Sequence, residues 1–234
     1  MNYLILNGND SRDVKGLLIQ SLPAITKPLL RTNTETIDGR SGDLITVLGY
    51  SAYDRNVSIG LYGDYCIDDV IEFFNTQGEV IFSNEPDKYY NFAILNQIDF
   101  ERLIKFRTAT VVFHVQPFKY NALKIERSYT ISKADKSITI ANSGNIYANP
   151  IMTIYGSGDI GVSLNDVQYF QIALGEQNNI TIDTEKMEAY NDNGLMNRIV
   201  AGDYDVFKLN TGENLLTFSG GVTEFNIQKF SRWI

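Results

Sequence analysis

Residues Arg31 to Leu44 read Arg-Thr-Asn-Thr-Glu-Thr-Ile-Asp-Gly-Arg-Ser-Gly-Asp-Leu, a stretch with no apolar period set between two runs that have one. Asp38-Gly39 and Ser41-Gly42 place two turn formers within five residues, because glycine supplies positive φ and Asp or Ser hydrogen-bonds its own backbone. Thr-rich residues of strand preference flank them. The stretch is therefore expected to be an extended two-stranded arm with its tip near Asp38 to Gly42. Two strands alone are marginal in water, and a hairpin this polar buries too little to offset its ordering entropy. Such an arm needs a surface outside itself to lie on; the plainer alternative is a mobile surface loop.

Working outward, Val14 to Leu22 is a mostly apolar run closed by Pro23 and Pro28, where strand pairing is expected to stop. On the other side, Val57, Ile59 and Leu61 alternate with Ser58, Gly60 and Tyr62 in a half-buried strand from Arg55 to Tyr62. One helix is expected, Asp64 to Gln77, with Ile67, Val70, Ile71 and Phe74 on one face, Asp64 as cap and Gly78 after its end. Strands follow at Glu79 to Phe82, Tyr89 to Leu95 and Ala109 to Gln116, with Pro117 closing the last. The first domain is thus residues 1–122, a β-sandwich-like unit with one α-helix and the arm at 31–44.

The second domain, 123–234, opens with a polar connector, Ser132-Lys-Ala-Asp-Lys-Ser137, and Asn142 to Pro150. Short strands then recur at Ile151 to Tyr155, Gly161 to Leu164, Tyr169 to Ala173, Asn179 to Ile182, Lys186 to Tyr190, Val206 to Leu209, Leu215 to Phe218 and Val222 to Gln228. That spacing, with Gly220-Gly221 as a two-residue hairpin turn, reads as an all-β sandwich. The whole chain is expected to be mainly β. Its composition agrees: 12% aromatic residues, with 14 Tyr and 13 Phe against 4 Met.

The net charge of −8, with no Lys/Arg cluster, argues against binding nucleic acid or an anionic membrane by counterion release. A single cysteine, Cys66, excludes an intramolecular disulfide. The first residues carry no basic n-region, and no apolar run approaches a membrane span, so a soluble protein made in a cytoplasm is expected.

Motifs that carry chemistry do not meet their own requirements. Gly156-Ser-Gly-Asp-Ile-Gly161 spells a dinucleotide fingerprint, but strand-like residues follow where a helix N-terminus must face the pyrophosphate, so a Gly-rich β-turn is expected. Asn191-Asp192-Asn193-Gly194 resembles a calcium loop. Aligned on Gly194, however, it puts Ala189 and Val200 where the first aspartate and the bidentate glutamate belong. His114, the only histidine, lies on the face of its strand opposite Val111, Phe113 and Val115 and is expected to be a sheet-surface residue. Cys66 at the helix start is read as a buried thiol, with a dipole-activated one as the alternative. Asp68/Asp69, Asp203/Asp205 and Asp99/Glu101 need no catalytic explanation. No catalytic residue, cofactor or metal ligand is assigned, and no enzyme is expected. One binding alternative stands: Tyr155, Tyr169, Tyr190, Tyr204 and Trp233, if exposed on the sandwich, would stack on sugar rings.

Taken in order, these features resemble the distal tail protein (Dit) family of long-tailed bacteriophages. The resemblance runs through Glu35, Asp38-Gly39-Arg40-Ser41-Gly42-Asp43-Leu44, the strand Val57 to Tyr62, the helix, and Val115-Gln-Pro-Phe118. It continues in Asn142-Ser-Gly-Asn145, Asn149-Pro150, Asp183 to Met187, Gly202 to Val206, Gly212-Glu-Asn214 and Arg232-Trp233. The resemblance implies a carbohydrate-module-like, galectin-like second domain and a closed homo-hexameric ring in which each arm lies on its neighbour. It implies a virion protein at the tail tip, stacked under the major tail tube protein and above the tail-associated protein, with receptor-binding or baseplate proteins on the sandwich. Arg31, Glu35, Asp38, Gly39, Arg40, Gly42 and Asp43 become assembly contacts. The sandwich carries no long insertion of the kind that adds a sugar-binding module in enlarged relatives, which disfavours the host-adhesion alternative.

Overall fold

A computed structural model describes residues 1–132 and 136–234, so the polar connector expected at 132–137 lies in part outside the described residues. Two compact units, Met1–Ala122 and Leu123–Trp233, each surround a hydrophobic core of their own.

The first unit runs β1 (Leu4–Leu6), β2 (Asn9–Asp10), β3 (Leu17–Ser21), β4 (Leu30–Thr36), β5 (Asp43–Tyr50), β6 (Tyr53–Leu61), α1 (Ile67–Phe74), β7 (Gln77–Phe82), β8 (Lys88–Ala93), α2 (Phe100–Phe106) and β9 (Thr108–Asn121). Its main sheet is antiparallel in the order β2-β1-β7-β8-β9-β6-β3. Val57 and Ile59 of β6 and Val111, Phe113 and Val115 of β9 face inward at alternate positions, as the strand period requires. Phe113 anchors this core, with Phe82 and Phe92 edge-on or tilted at 5.7 and 5.2 Å and Phe74 of α1 at 6.5 Å.

Three expectations for this unit need correction. First, α1 is shorter than Asp64 to Gln77. Cys66, half-buried, occupies the N-cap without a side-chain hydrogen bond, and Asn75 ends the helix. Gln77 already pairs with Ala93, so the sheet claims the residues that the helical pattern would have used, and Gly78 is a strand residue. Second, a further helix, α2, lies between β8 and β9. The Asp99 side chain caps it by accepting from the Arg102 N–H at 2.8 Å, and Arg107 closes it in the left-handed conformation. Only Leu103 is buried in its seven residues, so it writes no apolar period into the sequence. Third, Pro117 does not end β9. The β8–β9 register shifts between Tyr90 and Phe92, and Pro117 falls in that irregularity, where its missing N–H costs no ladder bond to β8.

The second unit runs β10 (Glu126–Thr130), β11 (Ser137–Asn142), β12 (Ile151–Leu164), β13 (Val167–Gly175), β14 (Asn179–Asp183), β15 (Glu188–Asn191), β16 (Gly194–Leu195), β17 (Val200–Gly202) and β18 (Gly212–Gln228). The long strands β12 and β18 pair along their length, and each changes neighbour midway. The first half of β12 pairs with β14 and its second with β13, while the first half of β18 pairs with β11 and its second with β10. Such a curled sheet closes over a core of Met152, Ile154, Ile180, Phe170, Phe218 and Phe225, all from inward positions.

The change of neighbour corrects two turn expectations. Gly156 to Gly161 and Gly220-Gly221 are not turns; they face each other in the middle of β12 and β18, where the register shifts twice. Paired bulges bend both strands there, and glycine is required by close approach: a methyl on Gly220, at φ +82°, would strike the Asp159 carbonyl oxygen. Gly220→Ala is accordingly expected to cost roughly 2–3 kcal/mol in denaturant unfolding, combining the positive-φ penalty with overpacking. Gly212→Ala, at φ +90° with open space around it, isolates the first of those terms and is expected to cost about 1 kcal/mol. Val206 to Leu209 is also no strand. Asp203 accepts from the Asp205 N–H and turns the chain, leaving only Leu209 bridged, to Ala148.

Candidate assembly interface

The arm is real, and it is longer than the sequence stretch that announces it. β4 and β5 form a two-stranded sheet of their own, with Leu30 opposite Tyr50, Thr32 opposite Val47, Thr34 opposite Ile45 and Thr36 opposite Asp43. Gly39 and Gly42 take φ of +81° and +80° at the tip. Every residue from Arg31 to Leu48 is exposed.

All seven sequence-derived contact residues sit on this ribbon. Arg31 lies opposite Gly49 near the root, and Glu35 opposite Leu44. Asp38, Gly39, Arg40 and Gly42 form the tip. Two of the three carboxylates are satisfied within the arm: Asn33 donates to Glu35 at 3.0 Å and Thr36 donates to Asp43 at 3.0 Å.

The apolar part of the arm lies beyond the polar stretch that ends at Leu44. Cross-strand partners share a face of a ribbon, so Ile45 and Val47 stand beside Thr32 and Thr34. Ile45 is 62% and Val47 60% exposed, with Leu48 alongside. The signal was present as Leu44-Ile45-Thr46-Val47-Leu48, a β-branched run directly after the tip. Exposed rows of this kind, on ribbons with unpaired edges, are common features of interaction surfaces.

The segment that leads from β3 toward the arm is held by a buried charge network that composition gave no reason to expect. Arg55 of β6 is 2% exposed; it meets Glu85 at 3.3 Å, stacks on Phe82 and Tyr90 at 4.5 and 4.6 Å, and donates to the Ala24 carbonyl at 3.3 Å. Lys119 of β9 pairs with the other Glu85 oxygen at 2.7 Å, and the Tyr90 hydroxyl donates to Glu85 at 2.7 Å. Asn84 donates to the Pro23 carbonyl at 3.0 Å, and Tyr50, at the root of β5, packs edge-on against Phe118 at 5.8 Å. The chain just after β3 is thus tied to the β7–β8 turn, and the root of β5 to β9. Burial pushes the Glu85 carboxyl up, but hydrogen bonds from Lys119 and Tyr90 and the charges of Lys119 and Arg55 outweigh it and hold it below the usual glutamate value. Burial and the bond to Glu85 push the Tyr90 phenol well above its ordinary value.

The remaining candidates resolve as structure. His114 sits on the sheet surface, its Nδ1 2.8 Å from Asp54 on the neighbouring strand. Asn191 to Gly194 is the hairpin between β15 and β16, with Asn191 accepting from the Asn193 N–H. Asp99 is a helix cap and Asp203 a turn former. None of Tyr155, Tyr169, Tyr190, Tyr204 and Trp233 is exposed; Tyr169 and Tyr204 pack edge-on against Phe207 and Phe170 of the core. They do not present the open aromatic platform that sugar stacking requires.

A mainly β chain of two units, the first throwing out a two-stranded ribbon, has the fold of phage tail hub proteins. Over 100% of both chains it is similar to the Dit protein of phage SPP1, a hub of the adsorption apparatus in phages that infect Gram-positive bacteria, with a TM-score of 0.67 and 17% identity. Over 98% of both chains it is similar to a chain of the phage P2 baseplate in its activated conformation with calcium, with a TM-score of 0.53 and 13% identity. No family model matches the sequence, and no curated protein matches it.

Proposed function

We propose that this chain is a non-enzymatic structural protein of a bacteriophage tail tip or baseplate. Its first unit builds a homo-hexameric ring at the distal end of the tail tube, and each arm lies on the next subunit. The ring joins the major tail tube protein to the tail-associated protein, and the second unit offers a docking face to receptor-binding or baseplate proteins. The observation that carries the reading is the exposed arm within a fold that matches the SPP1 hub protein from end to end. Arm and receiving surface are different patches, and contacts of that kind propagate head to tail and close into rings.

Light scattering across concentrations, with negative-stain images of the same fractions, tests this directly. Six-fold rings with a central hole are expected. Ile45→Asp with Val47→Asp is expected to leave monomers whose circular dichroism and denaturation midpoint match the parent, because exposed substitutions move stability by only about 0.5 kcal/mol. Rings that survive this double change would remove the arm from the interface. Protein that stays monomeric at every concentration and in the presence of the tail tube protein would sink the hub reading.

A further inference from the structure

We propose that the surface receiving the arm is the partly apolar groove between α1 and the segment after β8, on the first unit of a second copy of this chain. The inference rests on the hub reading and assigns the acceptor that reading leaves open. The groove has a volume of about 490 Å³; Ile71, Ile94, Leu95 and Ile98 give its wall an apolar patch, and Asn75, Thr76, Gln77 and Asn96 line the rest. It is open because β8 stops at Ala93 and α2 starts only at Phe100, so residues 94–99 pass beside α1 outside any strand. Leu95 is 74% exposed there, and Ile71, which the helical pattern assigned to the core, is turned into the groove instead.

Charge matches as well as polarity. Asp68, Asp69 and Glu72 of α1 make no ion pair among the described residues, and the last turn of the helix carries no basic residue. On the arm, Glu35 and Asp43 are satisfied internally, while Arg31 and Arg40 make no ion pair among the described residues. The arm therefore presents an apolar row with unused guanidinium groups, and the groove an apolar patch rimmed by amides, with unused carboxylates on the helix that forms one of its sides. In a single chain both remain uncovered. One subunit's arm in the next subunit's groove covers both at once, and every copy gives one contact and receives one.

Disulfide trapping in the full chain tests the placement, in a Cys66→Ser background that removes the native thiol. Val47→Cys and Leu95→Cys in one chain are expected to give, on mild oxidation, a ladder of covalent oligomers on denaturing gels, with neither change alone going beyond dimer. Without added cysteines, Leu95→Glu is expected to raise the concentration needed for assembly by at least about tenfold, as for loss of one anchor side chain, with an unchanged melting temperature. Wild-type rings by negative stain, with no ladder from the cysteine pair and normal assembly of Leu95→Glu, would overturn the acceptor assignment and leave the hub reading standing. A cross-linked monomer would overturn it too, by placing the arm on its own chain. Monomers under all conditions would remove both readings together.

Discussion

Glu85→Ala is expected to lower the stability of the first unit by about 3–5 kcal/mol, the cost of stranding buried charge after one partner of a pair is removed. Arg55 and Lys119 are both at least nine-tenths buried, and both direct their charge at this one carboxylate. For a unit of this size the loss corresponds to a drop of about 10–20 °C in its thermal transition, which calorimetry reads. Removing all three charges together gives a different expectation. Arg55→Met, Glu85→Leu and Lys119→Met in one chain leave no orphaned ion, and such replacements are often close to neutral. The triple variant should regain most of the stability, yet it lacks the guanidinium that holds the Ala24 carbonyl in the segment leading to the arm. Recovered stability without ring assembly would show that the network serves arm placement. Glu85→Ala melting within about 1 kcal/mol of wild type would show that the three groups are not coupled as their geometry requires.

The same network sets a pH window. Glu85 is held below its ordinary value, so its contribution is complete above the unfolded pKa, about 4.3, and is lost as pH falls through the lower folded value. Tyr90 is held above its ordinary value, so its contribution is complete below about pH 10 and is lost as pH rises through the folded value. The contribution of these two groups to the stability of the first unit is therefore expected to be flat between these limits and to fall on both sides. Glu85→Gln should make the acid limb shallower, as measured by urea unfolding across pH.

Legibility in the sequence followed how far each feature is written in local pattern. Period-two alternation places Val57, Ile59 and Leu61, and Val111, Phe113 and Val115, on inward faces without ambiguity, and the structure buries all six. The same alternation extended two residues back reaches Arg55, and forward along β9 it reaches Lys119. Charge argued against burial there, and the compensating Glu85 lies far along the chain in a turn. Helix α2 and the bulges at Gly156 to Gly161 failed for a related reason. One buried residue in seven makes no helical period, and glycines in a bent strand spell the same letters as glycines in a turn. On the arm, the turn chemistry located the tip, but polarity defined its extent, so the apolar half of β5 was set apart from the feature it belongs to. What was hidden in each case depends on a partner distant in sequence.

Phe113→Ala is expected to match the Glu85 effect, at about 3–5 kcal/mol, because truncating a buried phenylalanine loses transfer energy and leaves a cavity that rigid neighbours cannot fill. Phe113 is fully buried, and rings from β7, β8 and α1 converge on it, so no single neighbour can move in without abandoning another contact. The loss is expected to stay within the first unit. The core of the second is built from its own residues, and amide exchange in β12, β14 and β18 should keep wild-type protection while β6, β7 and β9 exchange faster. Equal loss of protection in β12 would show one cooperative block instead of two units. Assembly is a separate readout. Phe74 contacts Phe113 on one side and lines the proposed acceptor groove on the other, so loosening α1 removes the groove while leaving every arm residue in place. Mixed with wild-type subunits, Phe113→Ala chains should then donate an arm but receive none, and terminate growing rings in proportion to their share of the mixture.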